Sequence, residues 1–369
     1  MPLEIIDDAD LSSRLSLRLH ARVDRLIRVH HAQELPEARQ AVRGPYRGLL
    51  GEGSNSVMGS SIHGTLVQPA WAGLRRLDAL RVEADAGIAW DTLVNWTLSQ
   101  GLSGLENLSM IPGSVGAAPV QNIGAYGVEL AEHLESLDAF DWQTCSTRRF
   151  ERADCGFAYR DSVFRRPDAA RWVILRLRLR LQHARTTVSP KSTAEPAMAV
   201  ARGRAAGYAP TAAPLTCEED VLRLDHPDLA RHFARHRPES AREVADAVRS
   251  IRARKLPDPT TCPNAGSFFH NPVIRSDQAR ELLAREPDLV HYPDNGGLVK
   301  LSAAWMIERC GLKGQRSGRV GVSGQHALVL VNHGAASGEE LIAFAEQVRR
   351  AVQERFKVWL SIEPRVMLR

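Results

Sequence analysis

What this chain lacks narrows its function first. Its five cysteines, Cys145, Cys155, Cys217, Cys262 and Cys310, form no Cys-x-x-Cys pair. An odd, scattered set predicts reduced thiols rather than a disulfide framework. The 13 histidines show no metal-ligand spacing, and adjacent His30 and His31 point apart on any regular element, so no metal site is expected. No apolar run approaches the length of a membrane span. The first ten residues are acidic, unlike a signal peptide, which predicts a cytoplasmic protein with no membrane contact. Aromatic residues make up only 6% and the arginines are dispersed. The net charge of +5 therefore favours a positive field for a phosphate-bearing small molecule over nucleic-acid binding. Neither a Gly-x-Gly-x-x-Gly fingerprint nor a Walker loop is present, which removes the generic dinucleotide reading.

What is present suffices for two or three domains: 369 residues, 44% hydrophobic and 25% charged. Residues 175–181 alternate, with Leu175, Leu177, Leu179 and Leu181 on one face and Arg176, Arg178 and Arg180 on the other. This predicts an antiparallel strand with one solvated face. A helix is expected over 91–100, closed by Gly101. Residues 183–213, rich in Ala, Thr, Ser, Pro and Arg, read as a linker or insertion. Beyond them, Ser240 with Glu243 and Ser337 with Glu340 are capping boxes. The first opens a helix with Val244, Val248 and Ile251 on one face, stopped by Pro257 and Pro259. The second opens one with Leu341, Phe344, Val348 and Val352 together. A helix over 302–310 ends at Gly311, and 327–331 reads as a short buried strand. The second half is thus α+β, and no internal repeat is visible.

The densest signal is residues 111–130, Ile-Pro-Gly-Ser-Val-Gly-Ala-Ala-Pro-Val-Gln-Asn-Ile-Gly-Ala-Tyr-Gly-Val-Glu-Leu. Its missing or minimal side chains allow tight turns and close approach to a ligand. Successive free N–H groups in such a loop suit a diphosphate. Gly51-Glu52-Gly53-Ser54-Asn55 is a second phosphate-nest candidate, equally consistent with a plain turn. In Tyr159-Arg160-Asp161-Ser162, Arg160 offers a permanent forked cation for an enolate or carboxylate; the alternative is a surface pair with Asp161. In Asn264-Ala-Gly-Ser-Phe-Phe-His-Asn271, Ser267 sits beside two aromatics, where a dry hydroxyl can donate a proton; the alternative is a turn serine. Glu363 follows an apolar C-terminal stretch. Lys255 is either a ligand-binding cation or a helix C-terminal charge.

These segments together closely resemble the UDP-N-acetylenolpyruvoylglucosamine reductases, the second enzyme of bacterial peptidoglycan precursor synthesis, from about Leu15 to the C-terminus. The resemblance implies an α+β protein: a two-part flavin domain of the vanillyl-alcohol-oxidase (PCMH) type plus a C-terminal α+β substrate domain. It divides the chain into a first flavin subdomain over 13–70, completed by 358–369, a second over 71–182, and a substrate domain over 214–357. Non-covalent FAD is implied, with NADPH as hydride donor, so His63 keeps a structural role. FAD is assigned to Gly51, Gly53, Ser54 and Asn55 of the first loop. It is assigned also to Ile111, Pro112, Gly113, Ser114, Gly116 and Ala117, and to Ile123, Gly124, Ala125 and Tyr126. Arg252 and Arg365 complete its site. Ser267 is implied as the proton donor, with Arg160 and Glu363 as catalytic partners. Tyr159, Lys255, Asn271 and His326 fall to the substrate, and a monomer is expected.

The chain departs from the family in places. The family usually has lysine where this chain has His270. The N-terminal asparagine motif is here Leu15-Ser16-Leu17. The lidded form carries a tyrosine where Pro214-Leu-Thr-Cys217 has cysteine, and Tyr208 is an upstream substitute. Other classes compatible with the residues are a flavin oxidase of the same fold and a non-catalytic flavin or nucleotide-sugar regulator.

Overall fold

The structure is a computed structural model and describes residues 3–184 and 222–368. The proposed linker and the Tyr208 and Cys217 positions lie almost wholly outside the described residues.

The first layer is a four-stranded sheet in the order Glu4–Asp10, Arg22–Val29, Ser61–Pro69, Tyr46–Leu49. It starts ahead of the expected boundary at residue 13. The first pair is antiparallel and the other two are parallel. Ser56–Met58 pairs in parallel with Arg365–Met367 as a separate two-stranded sheet, which brings the C-terminal strand beside the N-terminal region.

The second layer is a five-stranded antiparallel sheet ordered Ser146–Glu151, Leu134–Asp141, Trp172–Arg180, Arg81–Asp85, Leu74–Arg76. Its central strand carries the leucine alternation: Leu177 and Leu179 are fully buried. The arginine face is not simply solvated. Arg178 donates to both carboxylate oxygens of Asp138 at 2.9 and 2.8 Å, and Arg176 and Arg178 both pair with Glu83. Glu83 is buried, so its charge is kept only because arginines surround it. The helix Trp90–Ser99 packs Trp90, Leu93 and Val94 into this layer's core, and Gly101 follows at φ 69°.

The C-terminal part has a sheet ordered Asn264–Ser267, Val329–Asn332, Val320–Val322, Arg316–Ser317, and a smaller one of Val273–Arg275, Leu298–Leu301 and His291–Asp294. The helix Gly338–Phe356 begins with the reciprocal capping box at Ser337 and Glu340, and its expected apolar face is buried. The helix Ala241–Lys255 is capped on one side only. The Ser240 hydroxyl accepts from the Glu243 amide, but the Glu243 carboxylate accepts from the Glu239 amide instead of closing the box. The helix Ala303–Arg309 is capped by Ser302, and its C-cap Cys310 precedes Gly311 at φ 73°.

One hydrophobic core contains Leu15, Leu17 and Leu19 together with Phe268, Phe269, Met306 and Leu341. The N-terminal segment and the C-terminal part therefore share their packing. A separate core fills the five-stranded layer. These two packing units position the site between them.

Candidate active site

The two glycine-rich loops meet. A Cβ at Gly51 would lie 3.0 Å from Ser114 Oγ, and one at Gly113 would lie 3.0 Å from Ser54 Oγ. The first loop is the one that leaves its amides open. In the second loop, the Gly113 N–H donates to Glu52 at 3.1 Å. The Val115 and Gly116 amides donate to Ile88 and Ala86 carbonyls, and those of Ala117 and Ala118 to Ser114 O. The amides of Gly113 and Val115–Ala118 are therefore already engaged within the protein. Residues 51–55 behave in the opposite way. Their carbonyls are engaged: Gly51 by Gln68, Gly53 and Ser54 by Ser16, and Asn55 by the Arg365 amide. Their N–H groups donate to nothing among the described residues. A run of unengaged amides is a nest for an anion. Gly53 is irreplaceable in it, at φ 65° with a would-be Cβ 2.2 Å from Arg14 O. Ser16 thus anchors the nest, and the departure at Leu15-Ser16-Leu17 keeps the hydroxyl that matters.

Asn55 carries a second indication of a ligand. Its side-chain Oδ1 is buried without a partner, a costly state that a bound donor relieves. Its Nδ2 donates to Gln121 Oε1 at 2.9 Å, and Gln121 Nε2 donates to the Glu363 carbonyl at 3.0 Å. Gln121 therefore links the nest to the Glu363 backbone. It stood in plain sight in the 111–130 run, but only its position at the end of a 3-10 turn over Val115–Gln121 shows its use. An open nest and an unmatched acceptor fit a diphosphate-bearing, hydrogen-bonding cofactor.

The Tyr159-Arg160-Asp161-Ser162 motif is a tight turn with two backbone bonds between Ala158 and Asp161, each 3.1 Å. Arg160 takes a left-handed φ of 52°, which costs a residue with a Cβ about 1–3 kcal/mol. Its guanidinium donates to the Gly124 and Asn122 carbonyls and forms no ion pair with Asp161. A Cβ at Gly124 would lie 2.8 Å from Arg160 Nη1, so a side chain there would displace the guanidinium. Ser162 ties the turn to the flavin segment by donating to Val120 O at 2.8 Å. Arg165 closes the arrangement by donating to Arg160 O at 2.7 Å.

Ser267 ends a strand, and its hydroxyl makes no hydrogen bond among the described residues. Phe268 and Phe269 behind it are fully buried and meet edge to face at 5.3 Å, fixing the backbone. The C-terminal stretch pairs alongside: Glu363 N–H donates to Phe268 O, His270 N–H donates to Ser361 O, both at 2.9 Å, and Phe269 bridges Ile362. Glu363 is thereby set beside the Ser267 strand. Burial raises its pKa against the opposing pull of Arg160 and Arg165.

Tyr159, Arg160, Arg165, His270, Asn271 and Val273 are among the residues around a cleft of about 240 Å³. Lys300, missed by the sequence reading, places its ammonium 4.6 Å from the Tyr159 ring centre; nothing local in Leu298–Leu301 marks it. Asn271 also accepts from the Ala303 amide at 3.0 Å and so fixes a helix start. Lys255 pairs with Asp228 and, with His326, does not line the cleft. Its charge nonetheless helps hold the His326 pKa down, after burial. Arg252 lies near Tyr126 and Arg160, and burial lowers its pKa. Arg365 donates to the Arg47 and Leu49 carbonyls, a contact that requires glycine at 48. His63 is a surface residue near Asp24. Among the described residues no cluster suited to a metal ion occurs.

Fold and nest together define an FAD-binding flavoprotein. Residues 24–148 match the FAD binding domain, and residues 258–367 match the UDP-N-acetylenolpyruvoylglucosamine reductase, C-terminal domain. The chain is 44% identical to the UDP-N-acetylenolpyruvoylglucosamine reductase of Azoarcus sp., over 98% of both chains. It is 41% identical to that of Pseudomonas aeruginosa, over 90% of this chain and 91% of the relative. The crystal structure of the Thermus caldophilus reductase has the same fold: TM-score 0.62 at 24% identity, covering 100% of this chain and 99% of that one. The chain belongs to the UDP-N-acetylenolpyruvoylglucosamine reductase family.

Proposed function

We propose that this chain uses FAD and NADPH to reduce the enolpyruvyl ether of UDP-N-acetylglucosamine to UDP-N-acetylmuramate, as a cytoplasmic monomer. The observation that carries the reading is the backbone contact of the 268–270 segment after Ser267 with 361–363, which sets Glu363 near the Ser267 loop and the strained Arg160 turn and is joined to the nest through Gln121. The absence of a membrane-length helix among the described residues agrees with a freely diffusing substrate.

Residues 51–55 would hold the FAD diphosphate, with Asn55 Oδ1 taking a cofactor donor. Bound FAD supplies the hydride equivalent from NADPH that reaches the vinyl CH2 of the substrate. The adjacent carbon then carries charge that spreads into the carboxylate. Arg160 stabilises that enolate as a fixed cation, and Glu363 does so as a protonated donor. An ionised Glu363 would repel it, and burial works against ionisation. Ser267 delivers its proton to the carbon, a step favoured by its unengaged hydroxyl. Tyr159, Asn271 and Lys300 orient the substrate in the cleft, while Lys255 and His326 contribute from the adjoining surface.

Anaerobic stopped-flow absorbance at the flavin band tests this. The NADPH-reduced protein should reoxidise rapidly on mixing with the enolpyruvyl substrate. A flavin that stays reduced until oxygen is admitted would identify an oxidase instead. Substrate binding without any redox change would identify a regulator.

A further inference from the structure

Outside the cleft, the turn His226-Pro227-Asp228 touches two parts of the site at once. It opens the helix Pro227–His232, where proline at the first position loses no hydrogen bond. His226, the N-cap, accepts the Asp228 N–H at its ring Nδ1, 3.3 Å away. The same ring meets Tyr126 of the second glycine-rich loop edge to face, with centroids 4.8 Å apart. Leu229 shares a small core with Val244, Val248 and Ile251 of the helix Ala241–Lys255, and Tyr126 packs against that core. The backbone that carries Asp228 is thus fixed against both the flavin segment and the longer helix.

That placement sets the Asp228 carboxylate against the end of the longer helix. Its Oδ2 accepts from the ammonium of Lys255, the last residue of that helix. Asp228 is mostly covered, at 13% side-chain exposure, whereas Lys255 is 49% exposed. The other charged neighbours of the carboxylate stand further off: Arg231 lies 3.7 Å from Oδ1, and His226 Nδ1 lies 3.8 Å from Oδ2. Among the described residues Lys255 has no other hydrogen-bond partner. An ammonium carries three donors on a flexible stem. One is spent on Asp228 and two stay free. His326 lies within reach of the same charge, which helps lower its pKa after burial. A half-exposed pair of this kind contributes little to stability, so its use lies in what it does to the lysine.

We propose that Asp228 is a positioning residue for Lys255: it takes one N–H of the ammonium and leaves the other two set for the diphosphate of the nucleotide-sugar substrate. The proposal rests on the reading of Lys255 as a substrate residue. An unheld lysine surrenders its rotamer freedom when it binds a phosphate. The pair with Asp228 restricts it beforehand, so less is lost on binding. The carboxylate also repels a diphosphate, but its charge is matched by the ammonium it holds. Positioning and repulsion have opposite signs on substrate affinity, which makes them separable.

The test is the concentration dependence of single-turnover reoxidation of NADPH-reduced enzyme by the enolpyruvyl substrate, in wild type, Asp228→Asn, Lys255→Ala and the double variant. Lys255→Ala should raise the half-saturating substrate concentration; if it does not, the reading of Lys255 fails. Asp228→Asn should raise it too, by about three- to thirtyfold, the range that the rotamer entropy of one lysine allows. Its limiting rate should hold, because the interaction serves binding and not the chemical step. In the Lys255→Ala background the same change should raise the half-saturating concentration no further, as for two residues acting through one contact. If Lys255→Ala weakens binding but Asp228→Asn leaves it unchanged or tightens it, the Asp228 proposal alone is overturned. An equal increase in both backgrounds also overturns it, since Asp228 then supports the helix and not the lysine. Should Asp228→Asn not fold, Asp228→Ser, which brings a residue favoured at helix starts, enters the same cycle and is read in the same way.

Discussion

At the scale of single residues, the site depends on groups whose ordinary behaviour has been altered by their surroundings. Ser267 is an unengaged hydroxyl beside a rigid aromatic pair. Ser267→Ala should slow substrate-driven reoxidation by about 10²–10⁴-fold, the usual contribution of a positioned proton donor. Reduction by NADPH should survive, and rapid mixing separates the two. Glu363 gives a pH dependence. Its folded-state pKa is raised, so the protonated form is favoured in the fold relative to the unfolded chain. The stability this contributes is full below the unfolded carboxylate value and is lost as pH rises through the raised folded value. Thermal melts of wild type and Glu363→Gln should therefore diverge as pH rises above the unfolded carboxylate value, with wild type the more affected. Motifs mark Ser267, Arg160 and Glu363 as candidates in the sequence. Gln121 and Lys300 were not, because their use depends on partners distant in the chain.

At the scale of elements, the first glycine loop is a nest because its neighbours absorb its carbonyls and leave its amides open. Gly53→Ala puts a methyl group into the Arg14 carbonyl. It should abolish FAD retention through purification, read as the flavin-to-protein absorbance ratio. Gln121→Leu removes both side-chain links between the nest and Glu363. It should slow substrate reduction by roughly tenfold to a hundredfold through misplacement while most FAD is kept; a variant with wild-type turnover would dismiss the link. Helix positions at this scale were read well from periodicity and caps. For the second glycine loop, composition reports freedom to turn but not which amides are already taken.

At the scale of the whole molecule, one core joins both ends of the chain. Phe268→Ala should cost about 3–5 kcal/mol, the range for a buried phenylalanine, and appear as a lowered melting temperature. Ending the chain after Pro364 removes the Arg365–Met367 pairing with Ser56–Met58 and the Arg365 bonds to Arg47 and Leu49. That truncation should lower the melting temperature and FAD content together.

By itself the sequence determined this protein's helix caps, the leucine-faced strand and the residue types able to do the chemistry. Those follow from local spacing, composition and recognisable motifs. Only the tertiary structure decided which loop offers its amides, that the arginine face is an ion-pair lattice around buried Glu83, and that His270 lies against Glu363. Hydrogen bonds and desolvation arise between residues far apart in the chain, so their outcome is set by packing and not by neighbours in sequence.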